Sequence, residues 1–490
     1  MSDPLILVLD EGTTSTRAIL FDAGGKLRAS AQQDLTQHYP QPGWVEHDAE
    51  EIWASTLSCA RQMVEQAGGA ERIATIGIAN QRETVVAWDR QTGLPLSRAI
   101  VWQDRRTADF CDQLREAGHE DMIRRETGLL LDPYFSGTKM RWLIDSEPAV
   151  AEAAAAGRLA LGTVESWLVF RLTGGAHVTD PSNACRTLLF PLQGDDWSED
   201  LCDLLQVPIR TLPALVENAQ SDLQTDPALF GAAIPICGMA GDQQAATIGQ
   251  GCLSPGQTKA TYGTGAFVLT NLGTQVPRSA HRLLGTVLYE IGGRRTYALE
   301  GSVFVAGSLV KWLRDSLGLI ESAAVTGELA RSVESSGGVV VVPALSGLGA
   351  PHWRPEARGL VAGLSFATTR AHIVRAALEA MANQTHDLAR AFAADGARWE
   401  ALRIDGGMSA NDWMAQDIAD LLDITTTRPD FVETTALGAA MLAGAGAGIF
   451  QSLEDAAASM IGPGSEFVPR MAQAERDARI AAWQRALAAS

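Results

Sequence analysis

A chain of 490 residues is long enough for two large domains or about three smaller ones, each with a core of its own. With 46% hydrophobic and 20% charged residues the composition is globular and excludes a wholly disordered chain. A net charge of −19 excludes a broad surface for nucleic acid or anionic lipid, because phosphate backbones require a positive footprint; a small-molecule partner is expected instead.

Along the chain, Leu5-Ile6-Leu7-Val8-Leu9 is an apolar run that stops at Asp10-Glu11 without a basic leader or cleavage site, so it reads as a buried strand. Residues 5–22 continue as strand, Gly12-Thr13-Thr14 turn, strand. Further strands are predicted at 73–79, 159–161, 234–237, 339–342 and 402–404, alternating with helical patterns, which indicates an α/β fold. Residues 257–271 repeat the first pattern around Gly263-Thr264-Gly265, about half the chain later. Two similar halves, each opening with a hairpin, would place a cleft between them. The boundary is expected where Gly, Ser and Pro cluster near 249–256, giving halves 1–250 and 251–490. The longest helix is predicted over 369–393, with Val374, Leu378, Met381, Leu388 and Phe392 on one face, and another over 411–422. The six cysteines are scattered, with no C-x-x-C pair, so they are expected as free thiols in a reducing cytoplasm. No apolar run approaches the length of a membrane span.

Several chemistries are excluded by their missing motifs. None of the four lysines, Lys26, Lys139, Lys259 and Lys311, sits between a Gly and a Ser or Thr, so there is no P-loop. Nucleophile-elbow, zinc-protease and Rossmann glycine motifs are also missing. What remains are turns rich in Gly, Thr and Ser. In Gly12-Thr13-Thr14-Ser15-Thr16-Arg17 the hydroxyls and amides can donate to phosphate oxygens, Arg17 adds a fixed charge, and Asp10 can ligate Mg²⁺ directly or through water. Taken alone, this segment reads more readily as an ordinary hairpin with a polar tip. A matching turn at Gly263-Thr264-Gly265 shifts the balance toward phosphate binding. Asp405-Gly406-Gly407, between a strand and a helix, adds a place where a nucleotide can approach the backbone.

The stretches LDEGTTSTRA (9–18), GWVEHD (43–48), NQRET (80–84), WQDRRTA (102–108), DPYFSGTK (132–139), AGDQQAA (240–246), TYGTG (261–265) and DGGMSAN (405–411) carry a resemblance to the FGGY family of carbohydrate kinases, within the actin-like ATPase superfamily. It extends over essentially the whole chain. The resemblance implies two ribonuclease-H-like domains with a nucleotide cleft between them, and ATP with Mg²⁺ as cofactors. Asn80-Gln81-Arg82-Glu83 differs from what family members with larger sugars tend to carry, so the implied acceptor is glycerol, phosphorylated on a terminal hydroxyl. By the same resemblance Asp242 is the general base. Arg82, Glu83, Trp102, Tyr134, Gln243 and Phe267 would surround the polyol, with Trp102 and Phe267 as aromatic walls. Thr13, Thr14, Ser15, Arg17 and Thr264 would meet the ATP phosphates; Gly307, Lys311, Gly407 and Asn411 would surround the nucleoside; Asp10 would hold the metal. A homo-oligomer, dimer or tetramer, is implied as well.

On residue chemistry alone, Asp242 also reads as a helix N-cap, and Trp102 and Phe267 as core. Two departures from the family pattern stand out. Glu11 replaces a common Gln, which would add a carboxylate beside the metal and phosphates, and Lys311 replaces a Gln near the base. Two other readings share these motifs: a kinase for another small polyol or a pentulose, and a non-catalytic actin-like ATP-binding protein. The second would have no use for Arg82, Glu83, Tyr134 and Asp242.

Overall fold

The computed structural model describes residues 4–354 and 356–490. Strands β1 (Leu5–Glu11), β2 (Ser15–Asp22) and β3 (Leu27–Asp34) form an antiparallel ribbon, followed by helix α1 (Ala49–Ala67) and strand β4 (Ile73–Asn80). After an insertion of short elements, β5 (Ala219–Gln224) and β6 (Pro235–Gly241) complete a six-stranded sheet in the order β5-β6-β4-β1-β2-β3. β1, β4 and β6 run parallel, so their carboxyl ends open on one edge. Helix α2 (Asp242–Gly249) leaves β6 directly.

The second half repeats the plan. β7 (Gln257–Tyr262), β8 (Ala266–Gly273), β9 (Leu284–Ile291) and β10 (Arg294–Val303) are joined by β11 (Ala401–Asp405), β12 (Thr426–Pro429) and β13 (Gly464–Phe467) in the order β9-β10-β8-β7-β11-β12-β13. Its main helices are α3 (Gly307–Asp315), α4 (Arg370–Ala394), α5 (Asp412–Leu422) and α6 (Thr434–Gly446). The predicted strands and both predicted helices appear within a few residues of their expected positions.

Burial explains the strand sequences. β1 is apolar at nearly every position because its sheet is covered on both faces. Leu7 and Leu9 pack with Ile52, Trp53 and Met63 of α1, whereas Ile6 and Val8 pack with Ala439, Ala440 and Ala443 of α6. α1 itself is fixed at both ends: Asp48 accepts from the backbone N–H groups of Glu50 and Glu51, and Gly68 closes it in the left-handed conformation. α6 comes from the second half of the chain and covers the sheet of the first. It crosses α2 so closely that a Cβ on Gly249 would lie 1.9 Å from the Thr434 carbonyl and one on Gly438 1.8 Å from that of Ala245. Glycine at both crossing points therefore sets the distance between the helix that begins at Asp242 and the helix that seals the sheet. In the second sheet, Ala260 and Tyr262 of β7 face α4 in the core with Val374, Leu378 and Met381, and by strand alternation Lys259 and Thr261 face the other way, toward the first half. All six cysteines are free and buried. Among the described residues no helix is long and apolar enough to cross a membrane.

Candidate active site

Both hairpin turns close on backbone hydrogen bonds, Gly12 N–H to the Ser15 carbonyl at 3.0 Å and Gly263 N–H to the Gly265 carbonyl at 2.9 Å. Thr14 and Thr264 stand exposed at the two tips, with Thr13 and Ser15 partly covered. Trp102 joins the turns. Its Nε1–H donates to Thr13 Oγ1 at 2.9 Å while its ring meets Phe267 of β8 edge-on, centroids 6.5 Å apart. The second turn is braced by the start of α3, where Gly307 N–H donates to the Gly263 carbonyl at 2.8 Å and Ser308 N–H and Oγ–H both donate to the Thr264 carbonyl. A Cβ on Gly307 would lie 2.6 Å from the Gly263 carbonyl, so the brace requires glycine there. Lys311 is exposed one turn further along α3.

The helix expected to begin at Asn411 is preceded by a short 3₁₀ turn, Gly407–Ala410, and Asn411 is the N-cap of α5. Its Oδ1 accepts from Trp413 N–H and Met414 N–H, and its Nδ2 donates to Thr326 Oγ1 at 3.1 Å, so both ends of the carboxamide hold the wall of the cleft together. Gly407 is exposed beside it.

Strand alternation separates the two acidic residues at the end of β1. Asp10 lies on the α6 face, where its carboxylate pairs with Arg17, which also pairs with Glu433 at the start of α6. Burial pushes the Asp10 carboxyl up, against the pull of Arg17. Glu11 is on the opposite face. The expected carboxylate beside the phosphates is therefore corrected: Glu11 is fully buried under α1, accepting hydrogen bonds from Thr16 and Thr56. Its other oxygen has no partner among the described residues, and burial pushes its carboxyl up to about 7. Among the described residues no three His, Cys, Asp or Glu side chains converge as a metal centre. The donor set at Asp10, one carboxylate beside a phosphate-type turn, fits a Mg²⁺ that takes its remaining ligands from phosphate oxygens and water.

The residues expected around the polyol gather about the carboxyl ends of β4 and β6. Asp242 is the first residue of α2, not its N-cap, which is Gly241; its Oδ1 accepts from Gln243 N–H at 2.7 Å, and a third of the side chain remains exposed in the cleft. Tyr134 is held from below by Lys139, whose Nζ donates to the carbonyls of Pro133 and Tyr134 at 3.1 and 2.6 Å, and its ring meets Trp102 edge-on. Arg82 is more heavily committed than its sequence position suggests. Its guanidinium reaches Glu300 through Nη1 at 2.5 Å and Nη2 at 3.1 Å, Gln244 Oε1 at 3.3 Å, the Tyr134 hydroxyl at 3.4 Å and, through Nε, Asp242 Oδ1 at 3.3 Å. Four of the five N–H groups thus donate to protein acceptors and Nε adds an ion pair with Asp242, so Arg82 binds the surrounding elements to one another. Glu83 sits in the left-handed region, φ 60°, and accepts from Arg186 Nε at 2.7 Å.

Sequence reading missed three residues that the fold brings here. Glu300, on β10, bridges Arg82 and Arg186, whose Nη2 lies 3.1 Å from it. Burial alone would lift the Glu300 carboxyl, but the two guanidiniums hold it down to about 2. Arg186 and Glu300 are fully buried, and with Arg82 and Glu83 they form a neutral quartet. Lys259, also fully buried, donates to Gln243 Oε1 at 2.6 Å and Thr261 Oγ1 at 2.9 Å. The one local signal for these residues was a lone charge inside a strand: Lys259 in QTKATY and Glu300 in YALEGSV.

Residues 5–249 match the FGGY family of carbohydrate kinases, N-terminal domain, and residues 258–447 the C-terminal domain of the same family. The chain is 52% identical to a glycerol kinase of Rhodospirillum rubrum over 99% of its own length and 98% of that protein's. It is 51% identical to a glycerol kinase of Gluconobacter oxydans, covering 98% and 94% of the two chains. The crystal structure of Plasmodium falciparum glycerol kinase with ADP superposes with a TM-score of 0.93 at 34% identity, covering 99% of this chain and 98% of that one. The fold is shared more widely: a ligand-bound xylulose kinase from Lactobacillus acidophilus gives a TM-score of 0.87 at 22% identity, covering 99% and 96%.

Proposed function

Because this chain belongs to the FGGY family of carbohydrate kinases, we propose that it transfers the γ-phosphoryl group of ATP to glycerol, giving sn-glycerol 3-phosphate. The observation that carries this reading is the acceptor end of the cleft, where Trp102 meets Tyr134 and Phe267 edge-on and Arg82 reaches both the Tyr134 hydroxyl and the partly exposed Asp242 carboxylate. A three-carbon polyol can lay its C–H face on such rings, which leave little room for a hexose. Identity above one half to proteins named glycerol kinase supports the same choice.

In this reading the halves are 1–250, carrying the polyol site, the first phosphate turn and the base, and 251–490, carrying the second turn and the nucleoside site. Asp242 accepts the proton of the attacking hydroxyl, and Gln243 helps to hold the polyol. Thr13, Thr14, Ser15, Arg17 and Thr264 donate to the phosphates from the two sides of the cleft. Gly307, Lys311, Gly407 and Asn411 border the nucleoside. Asp10 holds Mg²⁺, which supplies charge neutralisation on the phosphates when bound. In-line transfer through a loose transition state asks the protein mainly for alignment, so an ordinary carboxylate suffices as base when the alcohol proton leaves late. Free buried thiols support work in the cytoplasm.

A coupled ADP-release assay across glycerol, dihydroxyacetone, erythritol, xylulose and no acceptor tests the proposal. Glycerol should give the highest kcat/KM. Preference for xylulose would move the chain to the pentulose branch of its family, and an acceptor-independent rate would indicate an ATP-binding switch.

A further inference from the structure

Lys259 is a charged residue in the middle of β7, paired with Leu269 on one side and Arg403 on the other, and wholly shielded from water. A buried ammonium is costly unless an anion or a full set of acceptors compensates it. Here its two hydrogen-bond partners, Gln243 Oε1 and Thr261 Oγ1, are both neutral, and among the described residues no carboxylate approaches within ion-pair distance. The charged groups around it are Asp242, Asp405, Glu300 and Arg82. A strand needs no lysine at such a place for packing, which an aliphatic side chain would serve better.

The contact with Gln243 has a definite chemical consequence. An ammonium only donates and an ionised carboxylate only accepts. Gln243 lies between the two, with Oε1 on Lys259 at 2.6 Å and Nε2 at 3.3 Å from Asp242 Oδ2. The orientation of the carboxamide is therefore dictated at both ends, and the Asp242 carboxylate is held from its Oδ2 side by Gln243 Nε2 and from its Oδ1 side by Gln243 N–H and Arg82 Nε. Lys259 belongs to the second half of the chain and Gln243 to the first, so this bond also fixes the base relative to the strand that leads into the Thr264 turn.

We propose that Lys259 is a positioning residue for phosphoryl transfer: across the cleft it holds the Gln243 carboxamide with its NH₂ toward Asp242, and so aims that carboxylate at the acceptor hydroxyl. This rests on the kinase reading above. Its action passes through Gln243, which distinguishes it from a lysine needed only for folding.

The test is a double-mutant cycle on kcat with Lys259→Met, Gln243→Leu and the pair, run on whichever acceptor alcohol the unaltered enzyme turns over, so that a wrong substrate assignment shows before any variant is made. Each single change should lower kcat by about 10- to 100-fold while ATP affinity, followed by calorimetry, stays within about twofold. The double variant should be no slower than the slower single, because the two residues act as one device. Multiplied losses in the double variant would overturn the proposal, as would a kcat for Lys259→Met equal to that of the unaltered enzyme. Should Lys259→Met fail to fold, Gln243→Leu alone decides, since it leaves the ammonium in place: an undiminished kcat there, or a loss seen only as a raised KM for the acceptor alcohol, removes the path through Gln243, and a fall in kcat with acceptor KM and ATP affinity unchanged supports it.

Discussion

Asp10 and Glu11 are sequence neighbours, yet one faces the cleft with Arg17 and the other is sealed under α1 with Thr16 and Thr56. Because Glu11 lies on the far side of the strand, Glu11→Gln should leave ATP affinity unchanged at every Mg²⁺ concentration; its effect belongs to stability. The native carboxyl is raised to about 7 from an ordinary value of 4.5. Between those values the unfolded chain sheds a proton that the native protein keeps, so the contribution of Glu11 is full below pH 4.5, declines as pH rises and levels off above about 7. A glutamine cannot ionise. Thermal melts of Glu11→Gln should therefore show a flatter profile from pH 5 to 7 and a higher midpoint at pH 8, with a gain on the order of 3 kcal/mol; parallel profiles for the two proteins would contradict the assignment. Asp242→Asn keeps the shape of the side chain without its ability to accept a proton. It should lower kcat by roughly a factor of 10³ or more while glycerol binding, measured by calorimetry, survives; near-normal turnover would remove Asp242 from the role of base.

Among the elements, the crossing of α2 and α6 ties Asp242 to the core. Gly438→Ala puts a methyl where the Ala245 carbonyl already lies, and the backbones must part. The expected cost is about 1–3 kcal/mol, seen as a lower urea midpoint, with a fall in kcat because α2 begins at Asp242; unchanged stability would mean that the helices can separate freely. Much of this level was legible in the sequence. The Gly-Thr turns announced both hairpins, and alternation of strand and helix patterns gave the layers. What the sequence did not reveal was that α6 crosses back to cover the first sheet, because a run such as TTALGAAMLAGAG is small and apolar on every side and carries no amphipathic stripe to say which surface it meets. Local pattern also placed Asn411 at the start of a helix, while its partner Thr326 could not be read from it.

For the molecule as a whole, the cleft is held by side chains that cross between the halves. Arg82 and Glu300 are 218 positions apart and Arg17 and Glu433 are 416, separations at which no spacing rule operates, so the sequence resemblance placed Arg82 beside the polyol and hid the carboxylate that pairs with it. Glu300→Gln removes a buried charge paired with both Arg82 and Arg186 and leaves the two buried guanidiniums to Glu83 and the partly exposed Asp242. Breaking a buried pair in this way typically costs about 3–5 kcal/mol, which denaturant unfolding would register; a midpoint equal to that of the parent would show that the quartet carries no net stability. Phosphoryl transfer to a glycerol hydroxyl is tested most directly by phosphorus NMR of the purified protein with ATP, Mg²⁺ and glycerol. A monoester resonance of sn-glycerol 3-phosphate growing in step with ADP is the predicted result; ADP accompanied by inorganic phosphate alone, or no consumption of ATP, would contradict it.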